Sequence, residues 1–282
     1  MSQTARPVAG GLIDAIRGSV QTALEWRRSQ APLEVVARAA ERRTPDGGRF
    51  RAALAREGGA NIIAECKRRS PARGVLARAY DPAAIARGYE CAGAAAISVL
   101  TEPTFFDGAL AHLEAVRAAV SLPLLRKDFV LDEYQIYEAR AAGADAVLLI
   151  AAMLDDAALR RLARCARDLG LAALVEVHSA PELDAASAAG ATIIGVNSRD
   201  LRTLAVDLRV CDALAADAPP GAIMVAESGI RSRGDLDRLA RAGYHAHLIG
   251  ERLMVEPEPG AALAALLGRA PDGASGNPAG AC

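Results

Sequence analysis

The sequence predicts an α/β protein that folds as a (β/α)8 barrel with extra helices at its N-terminus. Three observations support this prediction: the length of the chain, the alternation of short apolar runs with helical patterns, and the glycines that separate them. The chain has 282 residues, and barrels of this class commonly use roughly 250 residues as one domain. Hydrophobic residues make up 52% of the chain, which favours one large core over a disordered protein.

The N-terminal part, residues 1–60, is predicted to be a helical extension that packs on the barrel. Apolar side chains recur at helical spacing within residues 11–29, and two arginines stand at the far end, where positive charge suits a helix C-terminus. Two shorter helical patterns follow at residues 33–42 and 48–56. We expect this extension and the barrel, residues 61–269, to form one domain.

From residue 61 onward, short apolar runs alternate with helical patterns. There are eight such runs, and most of them are apolar throughout, as expected for parallel strands that are buried on both faces. Eight strands that alternate with helices favour a closed TIM barrel over an open doubly wound sheet, and no G-x-G-x-x-G follows the first strand. The runs occupy residues 62–64, 95–100, 122–125, 146–150, 172–177, 192–196, 223–226 and 246–249.

Capping residues mark both ends of the predicted helices. Asp81 stands before a proline, which places a capping carboxylate ahead of the first helical position, and Asp132 and Ser232 are predicted caps of the same kind. Four helical patterns end in Ala-Gly just before the next strand, because glycine tolerates the left-handed turn after a helix. These glycines are Gly93, Gly143, Gly190 and Gly243.

Charge, hydropathy and cysteine usage limit the partners and the compartment. The net charge of −1 gives no reason to expect nucleic acid or an anionic membrane as a partner. No apolar run reaches the roughly 18 residues that span a bilayer, and the N-terminus lacks a signal-peptide pattern. The five cysteines form no C-x-x-C pair, so we expect reduced thiols, no metal site and a cytoplasmic protein. Residues 270–282, rich in Gly, Pro, Ala and Ser, are predicted to be a disordered tail.

Charged and polar side chains follow six of the predicted strands, at the end of the barrel that carries catalytic groups. Glu65 and Lys67, two residues apart, point to the same side of the first strand. Any one such group could be a solvated charge or part of a structural ion pair. Three carboxylates and two ammonium groups around one cavity, however, favour an active site. The other strand-end residues are Lys127, Glu176, Asn197, Arg199, Glu227, Ser228, Gly229, Gly250 and Glu251.

The turns after the last two strands predict a phosphate site. Ser228, Gly229 and Gly250 can present backbone N–H groups to an anion, at the place where barrel enzymes often bind phosphate. Two turns that contain glycine are, by themselves, weak evidence for a phosphate site. Their position after strands seven and eight makes a small phosphorylated substrate the expected partner.

Aromatic and histidine side chains near the strand ends leave more than one interpretation open. Phenylalanines that follow strand ends fit either core packing or the walls of a pocket for a flat aromatic substrate. His178 fits a residue that supports Glu176 better than a catalytic one. His245 and His247 alternate within the eighth strand and fit core or rim positions. The phenylalanines are Phe105, Phe106 and Phe129.

The strand-end motifs together resemble one enzyme family. Residues 65–71, ECKRRSP, resemble the E-x-K-x-x-S-P motif of indole-3-glycerol-phosphate synthase. The resemblance runs in order from about residue 11 to about residue 268, and the combination of motifs is highly specific. The later motifs are SVLTEPTFFDG (98–108), LRKDF (125–129), residues 132–145, LVEVH (174–178), GVNSRDL (195–201), AESGI (226–230) and LIGERLM (248–254).

Members of that family convert 1-(2-carboxyphenylamino)-1-deoxyribulose 5-phosphate to indole-3-glycerol phosphate, CO2 and water in tryptophan biosynthesis, without a cofactor. The resemblance implies that Lys127 is the general acid of ring closure. It assigns later proton transfers to Glu65 and Glu176, and contacts with the anionic groups of the substrate to Lys67. The remaining implied residues are Asn197 and Glu227 for orientation, Ser70, Arg199, Ser228, Gly229, Gly250 and Glu251 for substrate and phosphate binding, and Phe106 and Phe129 for the anthranilate pocket.

The sequence departs from the family pattern at Arg69 and Ala72 in the first loop and at His245 in the last strand. Two alternatives therefore stay open: a related phosphate-binding barrel enzyme with an altered substrate, and a retired barrel that acts as a binding protein. A phosphoribosylanthranilate isomerase would need a cysteine base after strand one and an aspartate after strand five. Here Cys66 lies on the opposite side of the strand from its neighbours, and strand five ends in Glu176. The sequence does not distinguish a monomer from a homodimer.

Overall fold

The computed structural model describes residues 11–269, so the predicted tail at 270–282 lies outside the described residues. Eight parallel strands close into a barrel in chain order, with the last strand paired to the first. This confirms the predicted (β/α)8 barrel. The strands are β1 (Asn61–Cys66), β2 (Ala96–Leu100), β3 (Leu124–Lys127), β4 (Ala146–Ile150), β5 (Ala172–Val177), β6 (Ile193–Asn197), β7 (Ile223–Glu227) and β8 (Ala246–Ile249).

Helices follow the strands and form the outer layer, and three further helices precede β1, as predicted. A short two-stranded ribbon, Arg69–Ser70 with Gly74–Val75, follows β1. The helices are α1 (Leu12–Gln30), α2 (Leu33–Glu41), α3 (Gly47–Leu54), α4 (Pro82–Ala92), α5 (Pro103–Phe106), α6 (Leu110–Ala119), α7 (Glu133–Ala141), α8 (Asp156–Asp168), α9 (Ala180–Ala188), α10 (Arg209–Ala215), α11 (Arg233–Arg241), α12 (Glu251–Met254) and α13 (Pro259–Leu266).

The predicted helix boundaries are confirmed by their caps. The Asp81 side chain accepts hydrogen bonds from the backbone N–H groups of residues 83 and 84, and Asp132 and Ser232 each form a reciprocal capping box. All four Ala-Gly glycines have positive φ, between 76° and 102°. Local turn chemistry therefore sets where each helix stops, and so where each strand begins.

The N-terminal helices contact both ends of the barrel: α3 closes the amino end of the strands, and α1 packs on the loops after β2, β3 and β4. Phe50 and Leu54 of α3 are fully buried with the inward-facing strand residues, and Ile16 of α1 joins the same cluster. Gly47 begins α3 against the backbone that enters β5, where an added methyl group would lie 2.5 Å from the backbone nitrogen of Ala172. The extension is thus part of the inner core, and α1 borders the carboxyl end of the strands.

A buried ionic cluster lies on the outer face of β3, and the sequence did not predict it. The Arg126 side chain is 1% exposed, pairs with Asp128 at 2.9 Å and lies 3.4 Å from Glu138. It also donates hydrogen bonds to the hydroxyl of Thr101 at 3.1 Å and to the backbone carbonyl of Gln135 at 2.6 Å. These contacts join β3 to the loop after β2 and to α7, directly behind residue 127.

The burial of the His247 side chain predicts that the fold loses stability in mild acid. Burial lowers the pKa of His247 to about 4, and its Nδ1 has no hydrogen-bond partner among the described residues. Between the ordinary histidine pKa of about 6.5 and that value, the unfolded chain binds a proton that the folded chain does not. The free energy of unfolding should therefore fall as pH decreases across this window, by up to about 3 kcal/mol.

Urea denaturation at pH 7 and pH 5 measures this effect. His247→Gln should reduce the difference in unfolding free energy between the two pH values. An unchanged difference in His247→Gln would contradict the assignment.

Candidate active site

A cavity of about 690 Å³ opens at the carboxyl ends of the strands. Its volume suits a small molecule, and its walls combine apolar side chains with charged ones, as expected of a ligand site. Every predicted site residue except Ser70 lines it. These residues are Glu65, Lys67, Phe106, Lys127, Phe129, Glu176, Asn197, Arg199, Glu227, Ser228, Gly229, Gly250 and Glu251.

Lys127 lies between two carboxylates at the bottom of the cavity. Its Nζ is 3.0 Å from Oε2 of Glu176 and 3.5 Å from Oε2 of Glu227. The Asn197 amide donates a hydrogen bond of 3.0 Å to the other oxygen of Glu176. Each of the four side chains stands at the carboxyl end of a different strand, so the closure of the barrel brings together residues up to 100 positions apart.

The electrostatics of this group give its members different proton states. Burial lowers the pKa of Lys127, but Glu176 and Glu227 outweigh burial and raise that pKa above its usual range. Burial raises the pKa of Glu176, but Lys127 and a hydrogen bond from His178 outweigh it and hold the pKa low. Burial, opposed by the charge of Lys127 and reinforced by that of Glu176, raises the pKa of Glu227 to about 8. One protonated amine therefore stands beside one ionised carboxylate at neutral pH.

A second acid–base pair stands at the end of β1. Lys67 Nζ is 2.6 Å from Oε1 of Glu65, and the hydroxyl of Ser98 donates a hydrogen bond of 3.4 Å to the other carboxylate oxygen. The two-residue spacing places both side chains on the same side, as predicted. The cavity thus contains two amine–carboxylate pairs on neighbouring parts of its wall.

Four arginines of the described residues line the cavity, and of these only Arg199 was predicted. Arg73 and Arg199 both pair with the carboxylate of Glu251, at 3.0 Å and 3.2 Å. Arg231 and Arg252 line the same cavity. Arg231 and Arg252 each stand within two residues of a predicted phosphate-binding residue. Extending the predicted phosphate site by two residues after each turn would have included them.

The backbone turn at Ser228 and Gly229 lines the same cavity as the arginines. Both residues have positive φ, 65° and 77°, and a serine rarely adopts that conformation without a structural cause. A methyl group at Gly229 would lie 2.8 Å from the side chain of Val206, so a larger residue does not fit. The turn is therefore held in one shape, as an anion-binding backbone requires.

Two aromatic rings line the cavity beyond the carboxyl ends of β2 and β3. The rings of Phe106 and Phe129 lie 6.0 Å apart and are tilted by 44°. Phe105 packs against the inner core and does not line the cavity. The loop that carries the first ring is held by Glu102, whose buried carboxylate accepts hydrogen bonds from three successive backbone N–H groups at 2.9, 2.7 and 3.2 Å. Glu102 was not predicted, although a carboxylate before a proline was a visible cap signal.

Some predicted or considered residues lie outside the cavity. Ser70 is buried in the ribbon, where its hydroxyl accepts a hydrogen bond of 3.2 Å from the backbone N–H of Arg73. His178 stands behind Glu176, with Nε2 3.4 Å from its Oε1, and its pKa is raised to about 10, since two carboxylates outweigh burial. Cys66 belongs to the outer core and points away from the cavity. The cysteine base that an isomerase needs is therefore absent from the cavity.

The small number of lysines in the chain also points to the two amines of the cavity. The chain contains 33 basic residues, and only Lys67 and Lys127 are lysines. The other residues of this count are all arginines, and arginine supplies the positive charge of every surface ion pair among the described residues. A guanidinium keeps its proton, whereas an amine can transfer one when its surroundings adjust its pKa. Amine chemistry at both positions would explain why they alone retain lysine.

Residues 11–269 contain neither a candidate metal site nor a membrane-spanning helix. That stretch contains no group of three or more His, Cys, Asp or Glu side chains arranged to hold a metal ion. Its helices are all too short or too polar to cross a membrane.

Known proteins match the chain over nearly its whole length. A family model described as indole-3-glycerol phosphate synthase matches residues 13–266. The indole-3-glycerol phosphate synthase of Mycobacteroides abscessus is 48% identical over 259 residues, which cover 92% of this chain and 94% of that protein. The enzyme of the same name from Carboxydothermus hydrogenoformans is 52% identical over 222 residues, covering 77% and 84%.

Solved structures with the same fold are more distant. The 3-hexulose-6-phosphate synthase of Salmonella typhimurium has a TM-score of 0.58 and 12% identity, and covers 73% of this chain and 98% of its own. A thiamine phosphate pyrophosphorylase from Pyrococcus furiosus has a TM-score of 0.56 and 17% identity, covering 77% and 95%. These two show the barrel fold alone. On the family model and the close relatives, the chain belongs to the indole-3-glycerol phosphate synthase family.

Proposed function

We propose that this chain is an indole-3-glycerol phosphate synthase, a carboxy-lyase of tryptophan biosynthesis. Lys127 carries the proposal: its protonated amine is held between Glu176 and Glu227 at the bottom of the cavity. The substrate would be 1-(2-carboxyphenylamino)-1-deoxyribulose 5-phosphate, which has an aromatic ring at one end and a phosphate at the other. In the cavity, Phe106 and Phe129 follow β2 and β3, whereas Arg199 and the two glycine turns follow β6, β7 and β8.

Ring closure joins the aromatic carbon that bears the carboxylate to the carbonyl carbon of the sugar. The carbonyl oxygen becomes a hydroxyl, so it must receive a proton as the new bond forms. Lys127 would donate that proton, since its pKa is raised and its amine is protonated at neutral pH. Glu176 is ionised and would keep the amine in place, while Asn197 fixes the carboxylate from the other side.

Decarboxylation and dehydration would then complete the indole. Loss of CO2 leaves its bonding electrons in the ring, and loss of the new hydroxyl as water requires a proton donor and a base. The pair formed by Lys67 and Glu65, 2.6 Å apart, offers both. Glu176 is the other base within the cavity. We therefore assign dehydration to the β1 pair and ring closure to the β3–β5 pair.

Substrate placement would follow from the two ends of the cavity. The phosphate would bind the N–H groups of Gly229, Gly250 and Glu251, with Ser228 and Arg199 beside them. The anthranilate ring would lie against the phenylalanine wall. Ser70 would act indirectly, by shaping the loop that carries Arg73.

The same proposal covers the compartment, the partners and the oligomeric state of the protein. We propose that the protein works in the cytoplasm without a nucleic-acid partner, which its net charge of −1 supports. Cys66 and Cys211 are buried free thiols, which suits a reducing compartment. Light scattering coupled to size-exclusion chromatography will distinguish a monomer from a homodimer.

A continuous fluorescence assay for indole-3-glycerol phosphate tests the function. Purified protein, the anilino-deoxyribulose phosphate substrate and excess EDTA should give turnover at the same rate as without EDTA, because the proposed chemistry uses only side chains. A rate that EDTA abolishes and Mg²⁺ restores would contradict the cofactor-free mechanism. No turnover by folded protein would favour the altered-substrate alternative, and Ala72, which lines the cavity, would be the first position to change.

A further inference from the structure

Two carboxylates of the cavity lie directly against glycine residues. A methyl group added to Gly195 would lie 2.1 Å from Oε1 of Glu227, and one added to Gly250 would lie 2.2 Å from Oε1 of Glu65. Atoms that are not bonded do not approach so closely. Neither glycine has φ in the left-handed region, so backbone conformation does not explain them. What each glycine provides is space for a carboxylate.

Gly195 gives the clearer case, because little else fixes the position of its carboxylate. Glu227 is 1% exposed, and its Oε1 has no hydrogen-bond partner among the described residues. The other oxygen is 3.5 Å from the amine of Lys127. Gly195 lies in β6, paired with Glu176 on one side and with Val225 on the other. The glycine is thus surrounded by the strands that carry the amine's two carboxylates.

We propose that Gly195 is a positioning residue, whose missing side chain lets the Glu227 carboxylate lie beside Lys127. This inference rests on the proposed function only for the role of Lys127 as an acid. Any side chain at residue 195 would rotate Glu227 away from the amine. The clash is with the end of a side chain rather than with backbone, so the barrel itself need not move.

Gly195→Ala should therefore retain its fold and lose activity. We expect kcat to fall by about 10²-fold, the effect of misplacing a catalytic contact by about 1 Å. Gly18→Ala is the control, because Gly18 lies on the exposed face of α1 with no atom within 4 Å of the added methyl group. That control should leave kcat unchanged.

A double-mutant cycle separates positioning from general damage. If Gly195 acts through Glu227, then Gly195→Ala should add little to the loss caused by Glu227→Gln, and the combined effect should be far smaller than the product of the two. Multiplicative losses would overturn the proposal. Glu227→Asp is one methylene shorter, so Gly195→Ala should also cost less in that background. If Gly195→Ala alone fails to fold, folding must return in the double variant with Glu227→Asp, and its failure there would equally overturn the proposal.

Lysine NMR provides a measurement that does not depend on turnover. With only two lysines in the chain, ¹³C,¹⁵N-lysine labelling gives one side-chain signal for each. The Lys127 signal should move in the same direction in Gly195→Ala and in Glu227→Gln, while the Lys67 signal stays. An unmoved Lys127 signal in Gly195→Ala would overturn the positioning role. Because this readout needs no substrate, it stands even if the ring-closure assay fails.

Discussion

Lys127→Met should abolish turnover while the barrel remains folded. General acid catalysis contributes about 10²–10⁴-fold, and methionine has a similar length but no proton to give. The amine is held by Glu176 at 3.0 Å, and methionine offers that carboxylate neither a positive charge nor a proton. The measurement is kcat by product fluorescence, alongside circular dichroism and thermal unfolding. Activity within tenfold of the wild type would refute the assignment of Lys127 as the acid.

Lys127→Arg distinguishes charge from proton transfer. A guanidinium keeps the positive charge beside Glu176 but does not release its proton at working pH. We expect this variant to be nearly as inactive as Lys127→Met. Recovery of most of the activity would mean that the residue acts only as a positive charge. Arg209→Met, which breaks an exposed ion pair with Asp207, is the control and should behave as the wild type.

Arg126→Met should cause the largest loss of stability of any single charged-residue change considered for this protein. The Arg126 side chain is 1% exposed and neutralises the buried Asp128 at 2.9 Å, whereas Glu138, 3.4 Å away, is also paired with Arg27 at 2.8 Å. Removing one partner of a buried ionic cluster leaves uncompensated charge and costs about 3–5 kcal/mol. Urea denaturation measures the loss. Turnover should also fall, because Arg126 anchors the strand immediately before Lys127.

A compensating variant tests the cause of that instability. Adding Asp128→Asn to Arg126→Met removes one of the uncompensated charges and should recover part of the lost unfolding free energy. Arg209→Met again serves as the control, and we expect no measurable change from it. A loss below about 1 kcal/mol in Arg126→Met would show that the cluster contributes little, as is common for exposed pairs.

The fold and most of the cavity follow from local features of the sequence. Apolar runs, Ala-Gly helix ends and capping residues such as Asp81 and Ser232 act within a few positions of one another, so the sequence alone locates them. Strand ends are then known, and parallel strands place their ends together. That is why the sequence alone assigns Lys127 and Glu176 to one cavity.

Other residues of the site depended on contacts that no local pattern shows. Ser70 belongs to a conspicuous motif, yet it supports a loop instead of lining the cavity. Phe105 and Phe106 are neighbours, but only the second faces the cavity, since the cap at Glu102 fixes their short helix. Arg126 precedes Lys127 in the same strand, and no local pattern indicates that its contacts with α7 bury it.

The sequence by itself determined the barrel, the order of its strands and which residue types stand at its open end, because periodicity and turn chemistry are local properties. The tertiary structure alone decided the proton states. The pKa of Lys127 is lowered by burial and raised by carboxylates, and only the distances to Glu176 and Glu227 establish that the carboxylates prevail. The same holds for Gly195, whose importance depends on a side chain of the neighbouring strand that is 32 residues away in the chain.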